Sequence, residues 1–303
     1  YGWFENHLGY ISITSSYLRS KGISDPLDYW NQSEIIHFIG KDIVYHHYLF
    51  LPAERLADGR YKLPDQIPTR GHLLLQGKKF SKSRGWYISL RDFLNAFPAD
   101  YLRFYLSSIT SYNQSDINFD WNQFADRINN ELIASIGNLF FRVTKFLEDN
   151  YSSQVPEPKG WSESEEILID KVKKAVDDYE QLVERGEFAE ALKGIVNLAH
   201  TLNQYFQSNE PWKNKVSAGK VLYTEVNALR TLLILLYAFV PFSSKKLWNV
   251  LGLNENLETD SLRYARDFLI RPGHKIRRAI IPFEKIERGR IEEQLTKLGA
   301  PVA

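Results

Sequence analysis

The sequence predicts an α/β parallel-sheet piece followed by an all-α helical bundle. Two observations carry this. Short apolar runs followed by turns and helical stretches recur as far as Leu73-Leu74-Leu75, and from Asp120 onward apolar residues recur at helical spacing instead. A chain of 303 residues, 44% hydrophobic, is long enough to bury a sizeable core in two domains.

Tyr1 to Glu5 alternates aromatic and small residues, as a strand end does. Leu8, Ile11, Tyr17 and Leu18 then mark an amphipathic helix. Glu34-Ile35-Ile36-His37-Phe38-Ile39 reads as a buried strand, Gly40-Lys41-Asp42 as the turn after it, and Ile43 to Leu51 as helical. Leu73 to Gln76 is a further short strand. Ligands of parallel sheets sit beyond the carboxyl ends of strands, and Gly40-Lys41-Asp42 and the loop after Gln76 both fall there, which points to one shared nucleotide site. Past Asp120, the residues Phe124, Ile128, Leu132, Ile136, Phe140, Val143 and Leu147 form one long amphipathic segment. A linker from Ser152 to Ser162 leads to a helix over Ser164 to Glu184. Gly186 breaks that helix and Phe188 to Phe206 resumes it. Leu222 to Phe239 is the most apolar helix and stops at Pro241. Arg271-Pro272-Gly273 opens an irregular tail, with a short helix over Arg288 to Leu298.

Composition narrows the partners. Net charge is +1 and the pI is near 8.0, so a nucleic-acid contact has to come from local clusters. The absence of cysteine excludes disulfides and cysteine-based zinc sites. The longest apolar run, near Leu232 to Pro241, is too short to span a bilayer, and no signal pattern precedes it; a soluble, cytoplasmic protein is expected.

The chemistry concentrates in Gly77-Lys78-Lys79-Phe80-Ser81-Lys82-Ser83-Arg84-Gly85. A strand that delivers cations, hydroxyls and backbone N–H groups together suits a polyanion such as a triphosphate. The same composition also suits a solvated basic turn. The order Lys-x-Ser-Lys-Ser resembles the KMSKS signature loop of class I aminoacyl-tRNA synthetases, with Phe80 as the apolar anchor in place of methionine. Two further stretches make the resemblance specific. Tyr1-Gly2-Trp3-Phe4-Glu5-Asn6-His7-Leu8-Gly9-Tyr10 resembles the Tyr-Val-Trp-Phe-Asp-Ala-Pro-Ile-Gly-Tyr segment of methionyl-tRNA synthetases. Phe38-Ile39-Gly40-Lys41-Asp42-Ile43-Val44-Tyr45-His46-His47 is similar to their Phe-Ile-Gly-Lys-Asp-Ile-Val-Tyr-Phe-His segment. The chain is identified on these grounds as resembling the C-terminal half of that family.

The resemblance implies a partial Rossmann-type nucleotide-binding sheet followed by a helical anticodon-binding domain. It divides the chain into the second half of the catalytic domain (1–78), a connecting segment with the signature loop (79–120), the anticodon-binding domain (121–270) and a tail (271–303). Trp3, Tyr10, Ile43 and His47 would line the methionine pocket, where flat aromatics suit a polarisable thioether; Trp3 and Tyr10 suit a plain core equally well. Asn6 and His7 replace the family's Ala-Pro. Gly40 and Asp42 would meet the adenosine part of ATP, although Asp42 could equally cap the helix after it. Ser81 and Ser83 would join Lys79 and Lys82 in binding ATP, and the two lysines would act catalytically by neutralising the triphosphate as pyrophosphate leaves. Asn138-Leu139-Phe140-Phe141-Arg142 resembles the family's Asn-Leu-x-x-Arg, which reads the CAU anticodon. Trp212, after Asn209-Glu210-Pro211, would complete that site by stacking a base. His37, His72 and His200 read as structural or incidental. The implied reaction is ATP-dependent activation of methionine, with Mg2+, and transfer to tRNA(Met). The family's His-x-Gly-His motif and its zinc-bearing insert are expected outside this chain, so no metal site is expected within it and the fragment alone is expected to be inactive. The alternatives are a non-catalytic tRNA-binding module and a class I synthetase for another aliphatic amino acid.

Overall fold

The computed structural model describes residues 2–110, 112–254, 256–258 and 262–301, the side chains of residues 2–4 and 215–217 excepted. The chain divides into two compact units, Tyr1–Leu73 with Ser111–Ile117 and Leu74–Thr110 with Asn118–Ala303.

In the first unit α1 (Gly2–Ser20) is one helix, so the strand end expected before Glu5 is helical instead. Among the described residues no strand lies beside it to take up its backbone groups, and a helix satisfies them within the segment. Asp25 caps α2 (Pro26–Gln32), accepting from Leu27 and Asp28 N–H at 3.1 and 2.9 Å, with Pro26 opening the helix. Ile11, Trp30 and Ile35 form a small core with Tyr61 against it. The strand expected over Glu34–Ile39 is reduced to β1 (Ile39–Gly40) and an isolated bridge from Ile36 to Gln66. A 3₁₀ turn (Lys41–Ile43) and a π turn (His46–Phe50) then lead into α3 (Leu51–Asp58). β1 pairs in parallel with β2 (Thr69–Arg70). Pro68, lacking an N–H, sits in the opposing segment and cannot donate to a longer ladder.

The second unit carries the main core. Strands β3 (Leu73–Leu75) and β4 (Lys78–Lys79) pair antiparallel; α4 (Leu90–Ala96), α5 (Ala99–Ile109) and β5 (Ile117–Phe119) follow, and the strand order is β4-β3-β5. Phe93, Phe97, Phe119, Trp121 and Phe124 pack ring to ring, with centroids 4.9 to 5.9 Å apart. Asp120 caps α6 (Trp121–Arg127), which runs through a π segment (Ile128–Gly137) into α7 (Asn138–Tyr151). α9 (Phe188–Asn209) and α10 (Lys215–Leu236) pack on it, and α8 (Glu163–Glu184) packs on α9 and α10. The middle of α10 is as buried as its composition requires, with Val221, Leu222, Val226 and Leu229 inaccessible. Pro241 opens α11 (Pro241–Val250), where its missing N–H has no intrahelical partner to lose. α12 (Arg288–Thr296) is the last helix described, and Ile276, Phe283, Ile286 and Ile291 carry the tail into the core. The expected order, α/β and then all-α, is present.

Candidate functional site

The Lys-x-Ser-Lys-Ser loop hangs from a two-residue hairpin turn. Gln76 and Gly77 both take positive φ, 49° and 74°, the conformation a tight primed turn needs. Gln76 tolerates it because its N–H donates to Phe119 O at 2.8 Å and its Oε1 accepts from Trp121 N–H at 2.8 Å. Ser81 and Trp86 exchange two backbone hydrogen bonds (2.8 and 2.9 Å) around a 3₁₀ turn, Lys82–Arg84, closed by Gly85 at φ 69°. The stem is therefore tied, while Lys79, Lys82 and Ser83 face solvent and Ser81 is half-buried. Lys79 and Lys82 have no carboxylate partner among the described residues. Phe80 is 39% exposed and does not anchor the loop. Gly299 seals the outer end. Its N–H donates to Gly85 O at 3.0 Å, and a Cβ there would lie 1.9 Å from Arg84 O.

In the first unit, Gly40 is overhung by Asp42: a Cβ on Gly40 would lie 2.5 Å from Asp42 Oδ1. Asp42 makes no cap hydrogen bond, and its exposed carboxylate lies 3.7 Å from His72 Nε2. The neighbouring Lys41 pairs with Asp116 at 2.6 Å.

Tyr10, Ile43 and His47 come together. His47 Nδ1–H donates to Ile43 O at 3.1 Å, so Nε2 accepts from the Tyr10 hydroxyl at 3.0 Å. Burial first, then the charges of His7, His46 and Arg55, hold His47 below the ordinary histidine range against the opposing pull of that carbonyl, which favours this neutral tautomer. The Trp3 side chain lies outside those described. His37, taken from sequence as incidental, packs edge-on to Tyr10 at 4.6 Å. Burial, and then Arg55, His47 and His7, lower its pKa to about 4. A cavity of about 360 Å³ opens beside Tyr10 and His37 and is lined also by Trp30 and Phe38; Ile43 and His47 do not line it. His7, one of the two departures from the family motif, is buried with Nδ1 3.2 Å from Glu54.

On the helical unit Asn138 is exposed in the first turn of α7, and Arg142 follows one turn later. The Arg142 guanidinium donates to Gln207 Oε1 at 2.9 Å and lies 5.0 Å from the Phe206 ring and 6.0 Å from that of Trp212. Trp212 follows the left-handed Glu210 that ends α9 and is 40% exposed. Phe206 and Gln207, which hold the arginine, carried no signal in the sequence, because they sit 64 and 65 positions away on another helix. Behind this face Glu225 is fully buried with neither carboxyl oxygen hydrogen-bonded, and burial pushes its pKa well up. His200 contacts Ser135 Oγ at 3.2 Å, in keeping with a structural role.

A tied cation-and-hydroxyl loop beside a small sheet, followed by a helical bundle, is the layout of a class I aminoacyl-tRNA synthetase. A family model described as tRNA synthetases class I (M) matches residues 1–144, and one described as the anticodon binding domain of methionyl tRNA ligase matches residues 155–301. The chain belongs to the methionyl-tRNA synthetase family. It is 36% identical to methionine–tRNA ligase of Pyrococcus furiosus over 94% of this chain and 41% of that protein. It is 37% identical to that of Methanopyrus kandleri over 85% of this chain and 38% of that protein. The chain thus spans about two fifths of these relatives. Its fold is that of the Mycobacterium tuberculosis methionyl-tRNA synthetase solved in complex with methionyl-adenylate, with a TM-score of 0.79 at 23% identity over 86% of this chain and 52% of that one.

Proposed function

We propose that this chain is part of a methionine–tRNA ligase. It contributes half of the catalytic machinery and the surface that reads a CAU anticodon. In the complete enzyme the methionine carboxylate attacks the α-phosphorus of ATP, pyrophosphate leaves, and the methionyl group passes to the tRNA. Lys79 and Lys82 neutralise the charge of the departing pyrophosphate, and Ser81 and Ser83 add donors to the same oxygens. Gly40 lets the backbone approach adenosine closely, and Asp42 accepts from ribose hydroxyls. Tyr10, Ile43 and His47, with Trp3, form the wall that meets the methionine side chain. Among the described residues no group of three or more His, Cys, Asp or Glu could hold a metal, and Mg2+ enters with ATP as part of the substrate.

The observation that carries the reading is the arginine clamp. Arg142 is held by Gln207 and lies over two aromatic rings, with Asn138 exposed one turn away. A planar cation and a half-exposed indole are what an unpaired base stacks on, and an exposed amide is what its edge bonds to. Trp212→Ala tests this on the chain itself. Removing one stacking platform costs about 1–3 kcal/mol, or roughly one to two decades in affinity, for a tRNA with a CAU anticodon. A tRNA with another anticodon should lose little. A large fall in melting temperature with unchanged discrimination would make Trp212 a packing residue and remove the proposal.

A further inference from the structure

The tail supplies a charged surface that the anticodon-facing residues do not use. Between residues 271 and 280 the sequence has four cations, Arg271, Lys275, Arg277 and Arg278, and no carboxylate. The whole chain carries only +1, so the rest of it is net acidic. All four are exposed, and among the described residues none has a carboxylate within salt-bridge distance. Other cations of the helical unit are tied up in ion pairs. Lys145, Lys174, Lys193, Lys213 and Arg266 each pair with one or two acids at 3.3 Å or less. Four exposed cations set apart from acids within eight residues are available to an external anion.

The segment that carries them is held in place. Gly273 N–H donates to Val155 O at 2.7 Å, and Val155 N–H returns a bond to His274 O at 2.9 Å. Ile276 N–H donates to Ser153 O at 2.9 Å and Arg277 N–H to Val250 O at 2.8 Å, while Ala279 N–H donates to Glu148 Oε2 at 2.7 Å. Ile276 is 2% exposed, so in this extended stretch its neighbours Lys275 and Arg277 share the outer face. The backbone bonds fix where the charges project without involving the charges themselves. Glu148, which receives one of those bonds, stands on α7 six residues beyond Arg142, or ~9 Å of helix rise.

We infer that the strap of residues 271–278 is a second RNA contact that grips phosphodiester backbone without reading bases. This rests on the proposed tRNA function and deepens it. Arg142, Asn138 and Trp212 select the anticodon, while the strap neutralises phosphates on the strands flanking it. Phosphate contacts register affinity and its salt dependence and carry no sequence information.

The test is a salt titration of tRNA binding by the intact chain and by the triple variant Lys275→Gln/Arg277→Gln/Arg278→Gln. Each lost phosphate contact lowers the slope of log K against log salt by ~0.7–0.9. The triple variant should therefore lose roughly two units of slope, with its preference for CAU unchanged. Lys275→Gln alone, at a position tied only through backbone, should lose somewhat under one unit and guards against misfolding of the triple variant. Unchanged slopes in both variants overturn the strap. Trp212→Ala must behave conversely, losing discrimination at unchanged slope. If CAU preference is absent in the intact chain but the variants still lose slope, the anticodon reading falls and the strap stands. If the variants lose binding to phosphatidylserine vesicles and not to tRNA, the strap serves a membrane surface and the inference is wrong.

Discussion

Glu165→Gln should destabilise the helical unit by ~3 kcal/mol at neutral pH and by far less in acid. The carboxylate is wholly buried at the start of α8 and is the hub of its surroundings. It accepts from Tyr205 Oη at 2.5 Å, Ser162 Oγ at 2.7 Å, Ser162 N–H at 2.9 Å and Lys220 Nζ at 3.0 Å, so one side chain ties α8, α9 and α10. Burial by itself raises its pKa, but these donors outweigh burial and hold it down to about 2 against an ordinary 4.5. A depression of that size is worth ~3 kcal/mol of folding free energy. Because the folded pKa lies below the unfolded one, the contribution is complete above pH 4.5 and disappears as pH falls toward 2. Urea unfolding followed by far-ultraviolet circular dichroism, at pH 7 and at steps down to pH 2.5, gives the difference between parent and variant. That difference should shrink steadily below pH 4.5. Equal destabilisation at pH 7 and pH 2.5 would mean that the amide fails sterically, and the charge argument would be refuted. Tyr205 adjoins Phe206 and Gln207, so the same substitution should also weaken tRNA binding by loosening the hold on Arg142.

Glu225→Gln should have the opposite sign. The native carboxyl is kept protonated by burial, so stability is lost as pH rises above the ordinary 4.5, and an amide that cannot ionise should raise the melting temperature more at pH 8 than at pH 5. In a complete enzyme Lys82→Ala should slow methionine-dependent ATP–pyrophosphate exchange by roughly two to three orders of magnitude with the KM for methionine nearly unchanged; a changed methionine KM at an unaltered rate would reassign the lysine to amino-acid binding. Gly299→Ala, whose Cβ collides with Arg84 O, should raise the KM for ATP and leave that for methionine alone, and equal effects on both would disconnect the tail from the loop.

The helices were the legible part, because a buried stripe must recur with the period of the backbone. α8 and α9 lie within a few residues of the expected Ser164–Glu184 and Phe188–Phe206, while α10 begins at Lys215, seven residues ahead of the expected Leu222. The strands were less so. Glu34–Ile39 has the apolar content of a strand, but how many residues pair depends on the partner, and Pro68 in that partner shortens the ladder. Residues 2–5 have strand-like alternation with no described strand beside them, and their backbone closes on itself as a helix. For the site, motif order named Tyr10 and His47, but their hydrogen bond and the packing of His37 depend on three separate segments meeting. Phe206 and Gln207 stayed invisible for the same reason: nothing about two residues inside a long helix announces that an arginine from α7 will lie across them.

The π segment between α6 and α7 governs where the face carrying Asn138 and Arg142 points. Phe124, Ile128, Leu132, Ile136 and Phe140 recur at strict intervals of four, and in an ordinary helix four such steps overshoot a full number of turns by roughly 160°. The wider i→i+5 turns take up that excess, and all five remain buried. The segment therefore works as a dial. Closing the segment to an ordinary α-helix at the same length would restore that excess and turn Asn138 and Arg142 by as much as ~160° about the axis relative to the core that precedes them. A lineage could redirect the face that carries Asn138 and Arg142 without altering either residue. Comparing this one stretch among relatives is then as informative as comparing the exposed residues that follow it.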